Sequence, residues 1–312
     1  MRIVSLDEIR RTLDIDDALA AVAEGFRAFS TGRARLTQVG HLAFPLAAGD
    51  CHVKGASIDG SDLFVVKVAT GFSRNPERGL SSSNGFMAVL SAETGAPLAL
   101  LLDEGYLTDM RTAMAGAIAA NRILRPGSST IGVVGTGIQA DLQARLIART
   151  TGIKTILLWG RNRDHADRLA RKLDADGFSA SVAPSIEQLC ADASLIVTTT
   201  PATAPIVRAD MVPVGSRIIA VGADAPGKQE LDTALVGRAE LIVVDSREQC
   251  VDHGEAGWAV RAGLISATQL VELGVLLADD VPIKDDATVI VDLTGLGIQD
   301  LQIASSVWRR LA

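Results

Sequence analysis

The sequence has little of what marks several large protein classes. Only three of its 312 residues are cysteine, Cys51, Cys190 and Cys250, far apart, odd in number and without C-x-x-C spacing. That excludes a disulfide framework and a cysteine-built zinc site, and reads as reduced thiols in a cytosol. The four histidines, His41, His52, His165 and His253, show no ligand spacing, so no metal is expected. No apolar run reaches the roughly eighteen residues of a membrane span, although 48% of the chain is hydrophobic. The first eight residues carry Asp7 and Glu8 where a secretory signal would have an apolar core. A net charge of −7 without long runs argues against a nucleic-acid partner. Repeats and low-complexity tracts are absent as well.

What is present is organised around Ser129–Ala140. A largely β-branched run, Thr130 to Val134, ends in Gly135-x-Gly137-x-x-Ala140 and opens onto a segment of helical periodicity from Asp141 to Leu146. A strand turning tightly into a helix presents free N–H groups and the positive helix end, which suits a pyrophosphate. Gly135 allows the turn, Gly137 lets the backbone approach the phosphates, and Ala140 permits close helix–strand packing.

The flanking pattern agrees. Ser5 to Gly32 is helical by spacing, and Gln38 to Leu101 is strand-like, with turn clusters at Asp59–Asp62, Asn75–Gly79 and Glu93–Gly95. A small-residue helix is predicted over Thr108 to Leu124, stopping before Pro126-Gly127. From Ser128 strands and helices alternate: strands at Thr155–Trp159, Ser194–Thr200, Ser216–Gly222, Leu241–Asp245 and Thr288–Asp292, and a helix at Asp164–Leu173. Apolar strands paired with helices predict a parallel sheet covered on both faces. The fold class is therefore α/β: a Rossmann dinucleotide-binding domain over residues 126–298, and an α+β substrate-binding and dimerisation domain over 1–125, joined by a C-terminal helix at 299–312.

The second Rossmann strand usually ends in an acid that binds the ribose of NAD. Here it runs Trp159-Gly160-Arg161-Asn162-Arg163, with no acid before Asp164. Gly160 leaves room, and Arg161 and Arg163 suit a 2′-phosphate, with Asn162 beside them, so NADP(H) is favoured over NAD(H). Three further charges stand in telling places. Lys67 lies in the apolar strand Phe64–Val68, pointing to solvent or into a cleft; Arg111 opens the small-residue helix; Asp224 follows the strand that ends at Gly222. Ligands of open α/β sheets bind outside the carboxyl ends of the strands, which places Asp224 for catalysis.

In these motifs the chain resembles the ornithine cyclodeaminase/μ-crystallin family of NAD(P)-dependent enzymes, over nearly its whole length. The resemblance rests on Lys67 with Asn75 and Gly79-Leu80; Leu107-Thr108 through Arg111-Thr112-Ala113; the glycine turn; Val221-Gly222-Ala223-Asp224 with Gly227-Lys228-x-Glu230-Leu231; His253-Gly254-Glu255; and Thr294-Gly295-Leu296-Gly297-Ile298-Gln299-Asp300. It implies that Lys67 and Arg111 hold a substrate α-carboxylate and that Asp224 serves the amine or imine and proton transfer. Ser82, Thr112 and the turn residues Gly135, Thr136, Gly137, Ile138 and Gln139 would contact cofactor phosphates. Gly295 and Leu296 would lie beside the nicotinamide. A homodimer through the N-terminal sheet is also implied.

One position departs from the pattern. Relatives that act on ornithine carry an Arg where this chain has Gln38, within Arg35-Leu36-Thr37-Gln38-Val39. Glutamine brings no charge to a carboxylate. The expected activity is thus hydride transfer between NAD(P)H and the C=N carbon of a small 2-imino acid, or the reverse oxidation of a 2-amino acid. The alternatives are a deaminating cyclisation of a diamino acid and a non-enzymatic NADP(H)- or ligand-binding role.

Overall fold

The computed structural model describes residues 1–279 and 282–312, with the backbone alone at residue 76. Its contacts divide into two compact units: Met1–Arg111 with Leu296–Ala312, and Thr112–Gly295. The division falls within the small-residue helix α3 (Tyr106–Ile123).

The first unit opens with strand β1 (Arg2–Val4) and helices α1 (Leu6–Thr12) and α2 (Ile15–Ser30). One helical pattern becomes two helices because Ser5 and Asp14 each cap a new start: Asp14 accepts from the amides of Asp16 and Asp17. Strands β2 (Ala34–Leu36), β3 (Gly40–Phe44), β4 (Gly49–Ile58), β5 (Leu63–Phe72), β6 (Ser83–Ser91) and β7 (Pro97–Leu101) follow. They form a mixed sheet of order β1-β7-β6-β5-β4-β2, with β3 also on β4; only β1–β7 is parallel.

Alternation along these strands gives the sheet two different faces. Leu63, Val65 and Lys67 of β5 are buried together with Met87 and Val89 of β6. The C-terminal helix, Gly297–Leu311, lies against β4, β5 and β6 on one side and α2 on the other. Gly25 permits that approach, since a Cβ there would stand 2.9 Å from the Gln302 side chain. The opposite face carries Phe64, Val66, Val68 and Phe86, all only half-buried, and ends at exposed Leu42 and Phe44.

The second unit alternates strand and helix: β8 (Thr130–Val134), α4 (Ile138–Thr151), β9 (Thr155–Trp159), α5 (Arg163–Ala175), β10 (Ser179–Val182), α6 (Ile186–Asp192), β11 (Leu195–Thr198), β12 (Thr203–Val207), β13 (Arg217–Ala220), β14 (Gln229–Leu231), α7 (Thr233–Gly237), β15 (Leu241–Val244), α8 (Arg247–His253), α9 (Glu255–Arg261), β16 (Val271–Glu272), α10 (Leu273–Ala278) and β17 (Val289–Asp292). Eight strands make a wholly parallel sheet of order β10-β9-β8-β11-β13-β17-β15-β16, and β12 and β14 form a small parallel ladder of their own. This is the expected Rossmann architecture. The strand order reverses between β8 and β11, and the glycine turn leaves the end of β8 at that switch point, where dinucleotides bind. No helix among the described residues is long and apolar enough to cross a membrane.

Candidate active site

In the first unit two cations share one carboxylate. Lys67 Nζ lies 2.8 Å from one oxygen of Asp300, and Arg111 Nε lies 3.1 Å from the other. All three residues are buried. Arg111 Nη1 also donates to Gln299 Oε1 at 2.8 Å, and that oxygen accepts the Leu296 amide as well. Lys67 arrives because β5 alternation points it to the covered face, and Asp300 because it sits in the first turn of the C-terminal helix. Of the two orientations open to Lys67 from sequence, the structure therefore selects the inward one.

The pKa of Lys67 is lowered to about 8: burial is the largest effect, Asp300 opposes it, and the charges of Arg111 and Lys54 add to the depression. Burial alone would raise Asp300, but the charges of Lys67 and Arg111 outweigh it and hold the carboxyl below its ordinary value. One carboxylate faces two cations here, which leaves a positive charge for a ligand anion.

Sequence reasoning passed over three members of this neighbourhood. Asp300 was named only as part of a motif. Lys54 stands directly opposite Lys67 in the β4–β5 ladder. Asp103 is buried near the pair, accepts the Leu107 amide at 2.9 Å, and is pushed up to about 6, mainly by desolvation. The Lys54 pairing did carry a signal, for Lys54 and Lys67 are equidistant from the Asp59–Asp62 turn that the sequence already marks.

Gln38 lies exposed between β2 and β3. The neighbouring arginines are engaged elsewhere, Arg35 with Asp59 at 2.8 Å and Arg33 with Glu24 at 2.8 Å. Ser82 is exposed just before β6, and its carbonyl accepts the Phe72 amide.

In the second unit a cleft of about 870 Å³ opens at the switch point, floored by Gly135–Gly137 and walled by Arg161, Asn162 and Thr200. Gly135 has φ +135°, and a Cβ there would strike Thr199 Oγ1 at 2.2 Å. At Gly137, which starts α4 without a side-chain cap, a Cβ would meet nothing within 4 Å. An uncapped N-terminus of a fourteen-residue helix with open space before it fits a dinucleotide pyrophosphate. Thr136, Ile138 and Gln139 complete the turn at its partly open rim.

Gly160 is required for packing, because a Cβ there would lie 2.5 Å from the Thr136 methyl. Arg161 is exposed on the cleft, whereas Arg163 reaches Asp167 at 3.2 Å and Asn162 caps α5 through the His165 amide. Thr112 gives its carbonyl to Gln143 Nε2. Gly295 donates to Asp245 at 2.6 Å and accepts from Gln249, while Leu296 is buried.

Asp224 follows β13 in an exposed loop, 2.5 Å from Lys228 Nζ. The loop is braced from beneath: the Glu230 carboxylate accepts the amides of Gly222 and Thr200 and the hydroxyls of Thr198 and Thr200. Trp258 Nε1 ties down the Lys228 carbonyl at 3.0 Å. Glu230 was not foreseen as a residue that shapes both the Asp224 loop and the cleft wall.

Comparison with known proteins points in one direction. A model of the Ornithine cyclodeaminase/mu-crystallin family matches residues 2–312. Alanine dehydrogenase of Archaeoglobus fulgidus is 35% identical over 309 residues, covering 98% of this chain and 94% of that protein. Among solved structures, a dimeric archaeal alanine dehydrogenase with bound NAD superposes with a TM-score of 0.91 at 34% identity, covering 99% of this chain and 95% of that one. Iminosuccinate reductase of Paracoccus denitrificans in complex with NAD+ superposes with a TM-score of 0.91 at 29% identity, covering 99% and 96%.

Proposed function

The chain belongs to the ornithine cyclodeaminase/mu-crystallin family, and on that premise we propose that it is an NAD(P)H-dependent oxidoreductase acting on the C=N or CH–NH bond of a small 2-imino or 2-amino acid. The observation that carries this reading is the buried Lys67–Asp300–Arg111 cluster, two cations on one carboxylate. Named relatives support the substrate class, one an alanine dehydrogenase and one an iminosuccinate reductase.

In this reading Lys67 and Arg111 hold the substrate α-carboxylate, a charge-assisted contact that fixes its orientation. Lys67, with a pKa near 8, is charged at neutral pH yet able to move a proton at the substrate nitrogen. Asp224 stabilises the cationic imine, exchanging its partnership with Lys228 for one with the substrate. The bound nicotinamide supplies or accepts the hydride. Gln38, uncharged and exposed, is the remaining candidate for a polar substrate contact.

Ser82, Thr112 and the turn from Gly135 through Gln139 are assigned to the cofactor phosphates. Gly295 and Leu296 are assigned to the nicotinamide; the Gly295 amide and carbonyl are already taken by Asp245 and Gln249, so its contribution is van der Waals surface. Arg161 and Asn162 are assigned to the adenosine ribose, with NADP(H) preferred. A homodimer through the half-exposed apolar face of the mixed sheet accounts for Phe64, Val66, Val68 and Phe86 on a surface otherwise left to water.

The direct test follows NADPH absorbance with 2-oxo acids plus ammonia or amines, cyclic imino acids and diamino acids. Oxidation of NADPH by an imino acid is expected. Ammonia release from ornithine without net cofactor change would put the cyclodeaminase reading in its place. Turnover of none of these would favour the binding role.

The cofactor preference has its own check. Arg161→Ala is expected to weaken NADPH binding about ten- to a hundredfold, the loss of a charged hydrogen bond, and to leave NADH nearly unchanged in a fluorescence titration. An equal effect on both cofactors would show that Arg161 does not read the 2′-phosphate.

A further inference from the structure

The β3–β4 hairpin holds a cluster that sequence spacing hides. His41 stands directly opposite His52 in the ladder, and Asp50 lies two residues from His52. Directly opposite residues hold their Cβ atoms about 4.5–5.5 Å apart, and residues two apart on a strand share a face. All three side chains therefore rise from one side of the hairpin. The rings of His41 and His52 are stacked with centroids 4.8 Å apart, and His52 Nε2 is 3.8 Å from Asp50 Oδ1. One ligand atom from each residue lies within 4.8 Å of the others.

The surroundings are small. Ala43 faces Asp50 across one ladder, and Ala69 and Gly71 face His52 and Asp50 across the other. A Cβ at Gly71 would stand 3.0 Å from Asp50 Oδ1, so glycine gives the carboxylate its place. The three residues are partly or fully open to solvent, which leaves room above the sheet. Cys51 points to the other face, opposite Leu42 and Thr70.

We propose that His41, Asp50 and His52 form a binding site for one divalent first-row transition ion, with water completing its coordination. Two imidazoles and a carboxylate are a borderline donor set, suited to Zn2+ and Co2+ rather than to Ca2+ or Mg2+. Ligands about 2.0–2.2 Å from Zn2+ stand about 3.3 Å from one another in a tetrahedral shell. The ligand atoms, now within 4.8 Å of one another, would close to that spacing by side-chain rotation on the hairpin. The site shares its face of β4 with Lys54 but uses none of the residues assigned to substrate or cofactor. Its consequence is stabilisation of the hairpin by linkage, since the three ligands are gathered only in the folded chain and bind the metal more tightly there than in the unfolded one.

The test is calorimetric titration of the metal-stripped full-length protein with Zn2+, with Co2+ absorption as the spectroscopic readout. One Zn2+ per chain is expected, with affinity at least about tenfold weaker in His41→Ala and in His52→Ala and unchanged in Cys51→Ser. Co2+ bands free of thiolate charge transfer should appear in the wild type and vanish in the double histidine variant. No Zn2+ binding by the wild type, undiminished binding by the double variant, or loss of binding in Cys51→Ser would each overturn the proposal. The metal-induced rise in Tm, present in the wild type and absent in the double variant, gives a second measure in proteins whose unliganded circular dichroism spectra coincide.

Discussion

The alkaline limb of kcat/KM is expected to fall through about pH 8, by about tenfold for each further pH unit, and to move to lower pH in Asp300→Asn. The kcat/KM profile reports groups of the free enzyme, and the free-enzyme pKa of Lys67 is near 8 because burial and its like-charged neighbours disfavour its cationic form. Above that pH the ammonium that grips the substrate carboxylate is lost. Asp300 opposes the depression of Lys67, so an amide in its place leaves Lys67 facing Arg111 and Lys54 without a counter-charge, and its pKa must drop. Lys67→Arg, charged at all pH, should flatten the limb, and Lys67→Met should lower kcat/KM by about ten- to a hundredfold at pH 7 through the lost charged contact. Asp300 is a positioning residue in this account, and the pH profile is the readout that a merely structural role would leave in place. A limb at the same pH in wild type and Asp300→Asn would refute the coupling.

Stability should fall as pH rises from about 5 to about 9, and Glu255→Gln should flatten much of that slope. Desolvation, with Asp292 adding its charge, pushes Glu255 up to about 9 from an ordinary 4.5. Burial likewise pushes Asp292 up to about 7 from 3.8. A raised carboxyl pKa means that the folded chain keeps a proton which the unfolded chain has already lost in this window. The stabilisation is complete below about pH 4.5 and is lost progressively as pH approaches 9. Each unshared proton contributes a slope of about 1.4 kcal/mol per pH unit. Glu255 accepts the amides of Glu230 and Leu231 at 2.6 and 3.1 Å, and Glu230 in turn braces the Asp224 loop and Thr200 on the cleft wall. The check is thermal or urea denaturation at pH 5, 7 and 9, read as the change with pH and not as absolute Tm, so that a destabilised variant still answers. Parallel curves for wild type and Glu255→Gln would show that Glu255 does not carry the titration.

Much of the second unit could be read directly from the chain because its information is local. Val133-Val134-Gly135 is β-branched up to the residue where φ turns positive, and the next segment is helical by its own spacing, so strand, turn and helix are all written within a dozen residues. Four strands do not show in the sequence, Ser179–Val182, Thr203–Val207, Gln229–Leu231 and Val271–Glu272, and all are short; the first and last are the two edges of the parallel sheet, and the other two form the separate small ladder. Such segments owe their shape to a neighbour and carry little propensity of their own.

By itself, then, the sequence determined the Rossmann unit, its glycine turn and the inventory of charges that chemistry would need. The tertiary structure alone decided which charges meet. Arg111 finds Gln299 across 188 residues of chain, and Lys67 finds Asp300 because a helix at the far end of the sequence lies on the covered face of β5. His41 and His52, eleven positions apart with no ligand spacing, become neighbours only through hairpin register. The physical reason is common to all three: periodicity and turn chemistry are properties of consecutive residues, whereas an ion pair, a shifted pKa or a ligand cluster depends on distance through space, and that distance is set by which faces of the elements are buried together.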